Sequence, residues 1–434
     1  MKNLKFFYGD SLTSKSLIKN YVKKLGPEIK KLNDMLSLGY TTEYGFLNLL
    51  DDRSLILKIK DLVRLKKDND LEYLVVVGIG GSNLGTMAVL ESVKGKFYNQ
   101  LHNSPKVLFV DTIDSDYLIQ VIHLIEDSFK SGKKALINVV SKSGNTTETI
   151  ANFEVLLSTL KKYVENYQEY VVVTTDSGSE LHKIAIENKF DVLEVPKLVG
   201  GRFSLFSTVA LFPLAMANID IEKIVYGAKV MRKKCLGLND NYAAINAILM
   251  YLHYQNKKNI YDCFLFSNEL ESLGKWYRQL IAESIGKEFN KFGNKVNVGI
   301  TPTVSIGTTD LHSIFQLYIA GPKDKFINFV TLENSSYIKI PNYKQYDSLI
   351  KNIQNKTLDK IMNSIIEGVK KSLVKNEIPF SEVRLDDKNE FSLGQFLMLK
   401  QIEVVLLASL FSVNVFDQPN IEAYKEETRK ILKK

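Results

Sequence analysis

The sequence predicts an α/β protein made of two doubly wound parallel-sheet units with helical extensions at both ends. Three observations carry this. Short apolar runs such as 74–77 and 135–140 alternate with segments of helical spacing. The runs are continuously apolar rather than alternating, as strands buried on both faces are. The alternation pauses once, over 205–256, and then resumes.

In chain order, 14–25, 27–38 and 54–67 have helical spacing. Strands and helices then alternate: strand 71–78, helix 84–94, strand 106–111, helix 115–130, strand 134–140, helix 148–160, strand 169–175, helix 179–188, strand 191–195. After the helical passage come strand 261–267, helix 270–284, strand 296–300, helix 310–319, strand 326–332, helix 358–374, strand 379–385 and helix 393–411. A helix over 421–432 closes the chain. The expected division is a helical N-terminal segment (1–70), a first α/β unit (71–205), a helical connection (206–256), a second α/β unit (257–411) and a C-terminal helix (412–434). The 434 residues exceed one small core. No Gly/Pro-rich linker separates the units, so they are expected to pack tightly.

Composition narrows the class. An apolar share of 45% with 24% charged residues is that of a water-soluble globular chain. No apolar stretch approaches a membrane span, and Met1 to Lys5 lack a signal-peptide core, so the expectation is a cytoplasmic enzyme. Cys235 and Cys263 fit no metal or redox spacing and read as buried thiols. The net charge of +8 comes from dispersed lysines, with seven arginines in all and no arginine-rich block. A solvated basic surface explains it better than a nucleic-acid stripe.

The most informative stretch is SKSGNTTET at 141–149, a hydroxyl-rich turn between a strand and a helix. Such a turn aims free N–H groups and a helix dipole at one point, which suits phosphate. Taken alone, it is also an ordinary Ser/Thr cap. A second strand–turn–helix carries GIGGSNLG at 78–85. Asn83 stands where a dinucleotide fingerprint needs its third glycine, and no Gly-Lys-Ser/Thr makes it a P-loop. Two such turns in one α/β unit suggest a small phosphorylated ligand held between them.

Further along, Gly200 and Gly201 precede Arg202, a cation that cannot lose its charge beside a backbone open to close approach. It suits developing negative charge; it also suits a plain surface turn. Gln279 and Glu283, four apart, share one helix face. The helix end disfavours a charged carboxylate there, which suits a general base, though a surface glutamate has the same pattern. His102, His123, His182 and His253 sit in charged contexts and read as surface residues. His312 lies in the first turn of the 310–319 helix, where the dipole favours the neutral imidazole; a structural histidine fits equally. Gln418 and Lys425 are seven residues apart, so two helical turns would bring both to one spot. No metal-binding spacing occurs.

Together these segments resemble the phosphoglucose isomerase family. The resemblance runs from about 70 to 430, on GIGGSNLG, SKSGNTTET, GGRFS at 200–204, RQLIAES at 278–284 with GTTDLHS at 307–313, and FDQPNIEAYK at 416–425, all in the family's order. It implies two sugar-isomerase (SIS) α/β domains and reversible isomerisation of glucose 6-phosphate to fructose 6-phosphate through a cis-enediol, in glycolysis and gluconeogenesis, with no metal or organic cofactor. By the resemblance, Ser82, Ser141, Lys142, Ser143 and Thr146 line the phosphate pocket, and Gly81 is a further substrate-binding residue. Glu283 is the base between C2 and C1, and Arg202 stabilises the enediolate. His312 and Lys425 open the ring, while Gly201, Gln279, Glu148 and Gln418 line the pocket. A homodimer is implied, with the active site at the subunit interface and the histidine supplied across it; no nucleic acid or membrane is.

Gly144-Asn145 and Pro419-Asn420 depart from the Phe-Thr and Trp-Gly of the longer animal type, and the chain resembles the compact bacterial type. A dual enzyme also acting on mannose 6-phosphate stays open. A non-catalytic SIS-domain sensor would keep the two phosphate loops without needing Glu283, Arg202, His312 and Lys425. It would commonly add a DNA-binding helix, and none stands out in 1–70.

Overall fold

The computed structural model describes residues 2–101, 105–346 and 348–433; His102 lies outside them. Two five-stranded sheets organise the chain. The first holds β2 (Leu71–Val77), β3 (Lys106–Val110), β4 (Lys134–Val140), β5 (Val171–Asp176) and β6 (Asp191–Val195), all parallel, in the order β3-β2-β4-β5-β6. The second holds β7 (Ile260–Leu265), β10 (Thr301–Ile306), β11 (Lys325–Leu332) and β12 (Phe380–Leu385) in parallel. The strand β1 (Lys5–Phe7) lies antiparallel on the outer edge of β12.

Both sheets therefore repeat one arrangement. The first strand of each unit lies between its second and third, so the chain leaves in opposite directions from two neighbouring strands. That switch point opens a crevice at the strands' C-terminal ends, where ligands of doubly wound folds sit. In the first sheet it falls between β2 and β4, the strands that lead into 78–85 and 141–149. Val75 opposite Ile137 shows the register. Every residue of β4 after Lys134 is buried, as its unbroken apolar pattern requires.

Several elements differ from the sequence expectation. The segments 14–25 and 27–38 are one helix, Lys15–Met35, with Pro27 inside. Its buried Ile18, Leu25, Ile29 and Leu32 form one stripe across the proline. Each buried aliphatic side chain contributes about 1.5–3 kcal/mol, and together they outweigh the roughly 3 kcal/mol penalty of an interior proline. Residues 1–70 are not all helical, because three residues in β1 are too few to show a period. Residues 296–300 are not a sheet strand: Lys295–Val298 is β9, which forms a hairpin with β8 (Lys287–Phe289), and the sheet strand is 301–306. Both Cys235 and Cys263 are buried free thiols, pushed up to about 12 by burial.

The helix Glu390–Phe411 corrects a second expectation. It is long and apolar enough to cross a membrane by composition, yet nearly all of it is buried inside the protein. It runs through the core against helices Ile221–Cys235 and Tyr242–Gln255. Its two interior charges, Lys400 and Glu403, pair at 3.1 Å in full burial. His253 is likewise buried, not on the surface; its ring stacks on Phe326 and its Nε2 lies 2.9 Å from the Ser11 carbonyl. His123 is exposed, as expected.

Candidate active site

The glycines of 78–85 show what meets at the crevice. Gly80 has φ +61°, and a Cβ there would lie 2.7 Å from Gln279 Nε2. A Cβ on Gly81 would lie 2.5 Å from the Gly201 carbonyl. The loop after β2 and the turn carrying Arg202 thus touch at backbone distance, which only glycine allows, and the Gln279 side chain reaches Gly80 from the third element. Asn83, at the start of helix Leu84–Lys94, donates to Asp111 at 3.0 Å, so Asp111 holds the loop. Gly81 and Ser82 lie half-buried in the short 3₁₀ turn Gly80–Ser82.

The 141–149 loop follows the neighbouring strand. Ser141 is buried and its Oγ lies 3.2 Å from Thr146 Oγ1. Thr175 Oγ1 donates to the Ser141 carbonyl at 2.7 Å, fixing the start of the turn. Thr146 is the N-cap of helix Thr147–Tyr163, yet its side chain caps no N–H of the first turn. Those N–H groups stay open to an anion. Ser143 is exposed and Glu148 sits in the first turn. Lys142 pairs with Asp176 at 3.5 Å. Burial raises the Asp176 carboxyl, and Lys142 works against that.

Arg202 anchors the other side. It is 6% exposed within the 3₁₀ segment Gly201–Phe206. Nε donates to Ser284 Oγ at 2.8 Å, Nη1 to Gln418 Oε1 at 2.9 Å, and Nη2 to the carbonyls of Val415 at 2.5 Å and Asp417 at 3.2 Å. Nη1 also stands 3.5 Å from Glu283 Oε2. Desolvation pulls Arg202 below its usual value, and Glu283 and Asp417 pull it back. Gln279 Nε2 donates to Glu283 Oε1 at 3.0 Å. Both residues sit in helix Glu271–Ile285, Glu283 in its last turn.

So the structure brings together Gly81, Gly201, Arg202, Gln279, Glu283 and Gln418. Among the described residues, no hydrogen bond or ion pair joins His312 or Lys425 to that cluster. His312 ends the four-residue 3₁₀ turn Thr309–His312, separate from helix Phe315–Ala320. The helix-start dipole argument for it therefore fails. It is exposed, and its imidazole makes no hydrogen bond among the described residues. Gln418 precedes a 3₁₀ turn, Pro419–Ile421, and only then does helix Glu422–Leu432 begin, so two turns of one helix do not join it to Lys425. Lys425 pairs with Glu422 at 2.7 Å.

Two residues were missed from the sequence. Ser284 receives Arg202. Lys287, buried, donates to the Glu283 carbonyl at 2.8 Å and the Asp417 carbonyl at 2.5 Å. Its position four residues after Glu283 was the available signal.

A family model described as phosphoglucose isomerase matches residues 64–434. A probable glucose-6-phosphate isomerase of Methanococcus maripaludis is 34% identical over 393 residues, covering 90% of this chain and 84% of that one. A glucose-6-phosphate isomerase of Mycoplasmopsis pulmonis is 32% identical over 428 residues, covering 96% of both. Among solved structures, a hypothetical protein of Thermus thermophilus superposes with TM-score 0.86 at 27% identity over 99% of both chains. A glucose-6-phosphate isomerase of Chlamydia trachomatis shares the fold at TM-score 0.82 and 19% identity, covering 100% of this chain and 89% of that one.

Proposed function

The chain belongs to the phosphoglucose isomerase family, and we propose that Glu283, Arg202 and the 141–149 loop carry that family's reaction here. The reaction is reversible isomerisation of glucose 6-phosphate to fructose 6-phosphate, a step of glycolysis and gluconeogenesis. One observation carries the assignment of roles. Glu283 stands between a neutral donor, Gln279, and a buried cation, Arg202, at the point where the two glycine turns meet.

In the open-chain aldose, Glu283 takes the proton from C2, and the electron pair moves through C1 onto the carbonyl oxygen. Arg202 steadies the resulting enediolate oxygen. The same carboxylic acid returns the proton to C1 as the proton of the C2 hydroxyl passes to the C1 oxygen, which leaves the ketose. Ser143, Thr146, Ser141 and Lys142 bind the phosphate with Gly81 and Ser82, remote from the reacting carbons. Binding energy there holds C1 and C2 at the carboxylate. Glu148, Gly201 and Gln418 line the space between.

His312 and Lys425 open the ring. Because His312 is exposed and bonds to no residue of the Glu283 cluster, the reading includes a cytoplasmic homodimer in which each His312 serves the partner's site. The excursion between β11 and helix Leu358–Lys375 supports a partner-covered face: Tyr337, Ile338, Leu349 and Ile350 are all more than half exposed.

A coupled assay following glucose 6-phosphate formation from fructose 6-phosphate, with EDTA present, tests the reading. Turnover undiminished by the chelator is expected. Absence of turnover in folded protein would overturn it.

A further inference from the structure

Beyond Phe416, no described residue of the chain is buried. Phe416 itself is fixed by its ring contacts with Tyr44, Phe46 and Phe203. Helix Glu422–Leu432, which carries Lys425, contains no buried residue at all. Apolar packing therefore does not hold that helix; whatever grips the chain just before it sets its place.

That grip is on Asp417. The Lys287 ammonium takes the Asp417 carbonyl at 2.5 Å and stands 3.1 Å from its carboxylate, while also taking the Glu283 carbonyl at 2.8 Å. Arg202 takes the same Asp417 carbonyl and Gln418 Oε1. Asn420 adds one exposed bond to Glu288 at 3.2 Å. The Lys287 side chain is 5% exposed, so its charge is withdrawn from water and retained through these oxygens. Lys287 thus joins the end of the helix bearing Glu283 to the root of the helix bearing Lys425.

We propose that Lys287 is a positioning residue that latches the C-terminal segment 417–432 onto the end of helix 271–285. It keeps Gln418 and the Lys425 helix in register with Glu283. This rests on the reading of Glu283 and Lys425 given above. The Asp417 carboxylate is 46% exposed and can be rehydrated when the ammonium is removed, so the fold tolerates the loss.

The test compares the unmodified full chain with Lys287→Met and Lys287→Arg. Limited trypsin digestion reads tail release by cleavage after Lys425, Arg429 and Lys430. Steady-state kinetics read kcat and KM for fructose 6-phosphate. Sorbitol 6-phosphate, which has no carbonyl, reads the phosphate site. Lys287→Met should raise tail cleavage by about 10-fold or more, since a latched segment opens far less often than a free one. Its kcat should fall by about 10-fold or more while KM and sorbitol 6-phosphate affinity change by less than about 3-fold, as for a residue acting on the transition state rather than on binding. Lys287→Arg should recover much of both losses.

Tail cleavage and kcat at unmodified values would overturn the latch. So would digestion along the whole chain as fast as at the tail, which would make Lys287 a folding residue. Should Lys287→Met not yield folded protein, Asp417→Asn carries the test: tail release above the unmodified rate supports the latch, and an unchanged rate overturns it. Full turnover by Lys425→Met would sink the role given to Lys425 and leave the latch to be judged on proteolysis.

Discussion

Arg202 Nη1 faces Glu283 Oε2 at 3.5 Å, longer than a tight ion pair. Charge-assisted N–H···O bonds usually close to about 2.7–2.9 Å. Arg202 spends its short bonds elsewhere, on Ser284, Gln418 and the carbonyls of 415 and 417. It is thereby fixed in place without locking the carboxylate proposed as the proton acceptor. A base held bidentate by arginine would have to break that pair at every turnover.

Glu283→Gln follows from this. It keeps the shape and the bond from Gln279 but removes the proton acceptor. A fall in kcat of at least ~10²-fold is expected, the lower end of a general-base contribution, with little change in KM. Deuterium incorporation from solvent at C2 should vanish in parallel. Near-native turnover by the variant would remove Glu283 from the role.

Ser143→Ala and Thr146→Ala test the phosphate cradle. Each removes a donor used equally in ground and transition states, so KM should rise more than kcat falls. Thr146 also meets Ser141, so its loss should disturb the turn more than that of the exposed Ser143. Unchanged inhibition by other sugar phosphates in both variants would show that the 141–149 loop does not bind phosphate.

Much of this was legible in the sequence, for identifiable reasons. Strands such as 134–140 and helices such as 115–130 announce themselves because burial on both faces, or on one stripe, leaves a period. The glycine turns announce themselves because backbone contact at Gly81 admits no side chain. What stayed hidden depends on distant partners. β1 is three residues whose strand identity comes from β12, over 370 positions away. The burial of His253 comes from Ser11 and Phe326. The grip of Arg202 on 415–418 is made of carbonyls, which every residue has. For His312 and Lys425 the local helix arguments failed, since His312 ends one short 3₁₀ turn and Lys425 lies beyond another, and the sequence does not mark where either turn ends.

His253 predicts a pH dependence of stability. Desolvation pushes it down to about 4 from 6.5, Lys258 adds to this, and the Ser11 carbonyl opposes it. The unfolded chain therefore binds a proton more readily than the folded one between those values. Its contribution is whole above pH 6.5 and is lost as pH falls towards 4, by up to about 3 kcal/mol. His253→Gln should flatten that part of the stability curve measured by urea unfolding. An identical slope in both proteins would refute the assignment.

The Lys400–Glu403 pair predicts a large stability effect. Glu403 also receives Tyr277 OH at 2.5 Å and Asn246 Nδ2 at 2.8 Å, so every partner is buried and satisfied. Glu403→Ala leaves the buried Lys400 ammonium with only the neutral acceptors Tyr261 OH and Asn328 Oδ1 and should destabilise by about 3–5 kcal/mol, the range for breaking a buried pair. Lys400→Met combined with Glu403→Gln should recover a good part of this. If the double variant is as unstable as the sum of the two single ones, the charges are not coupled.

His312 gives the test that separates ring opening from isomerisation. It lies exposed on the turn after β10, and its imidazole makes no hydrogen bond or ion pair with the Glu283 cluster. Most substrate in solution is cyclic, so loss of a ring-opening group should fall on the cyclic form. Proton exchange on an open-chain substrate or analogue still needs Glu283 and Arg202 but needs His312 much less. His312→Ala should therefore lose turnover of glucose 6-phosphate by ~10²-fold or more, as for removal of an acid–base group. It should keep a far larger share of proton exchange on the open-chain compound. Mixing His312→Ala with Glu283→Gln adds a check on the dimer. If each His312 serves the partner's site, mixed dimers contain one site with both residues intact, and activity should reappear on subunit exchange. Equal losses on cyclic and open-chain compounds would reject ring opening, and no recovery on verified subunit exchange would place His312 in its own protomer's site.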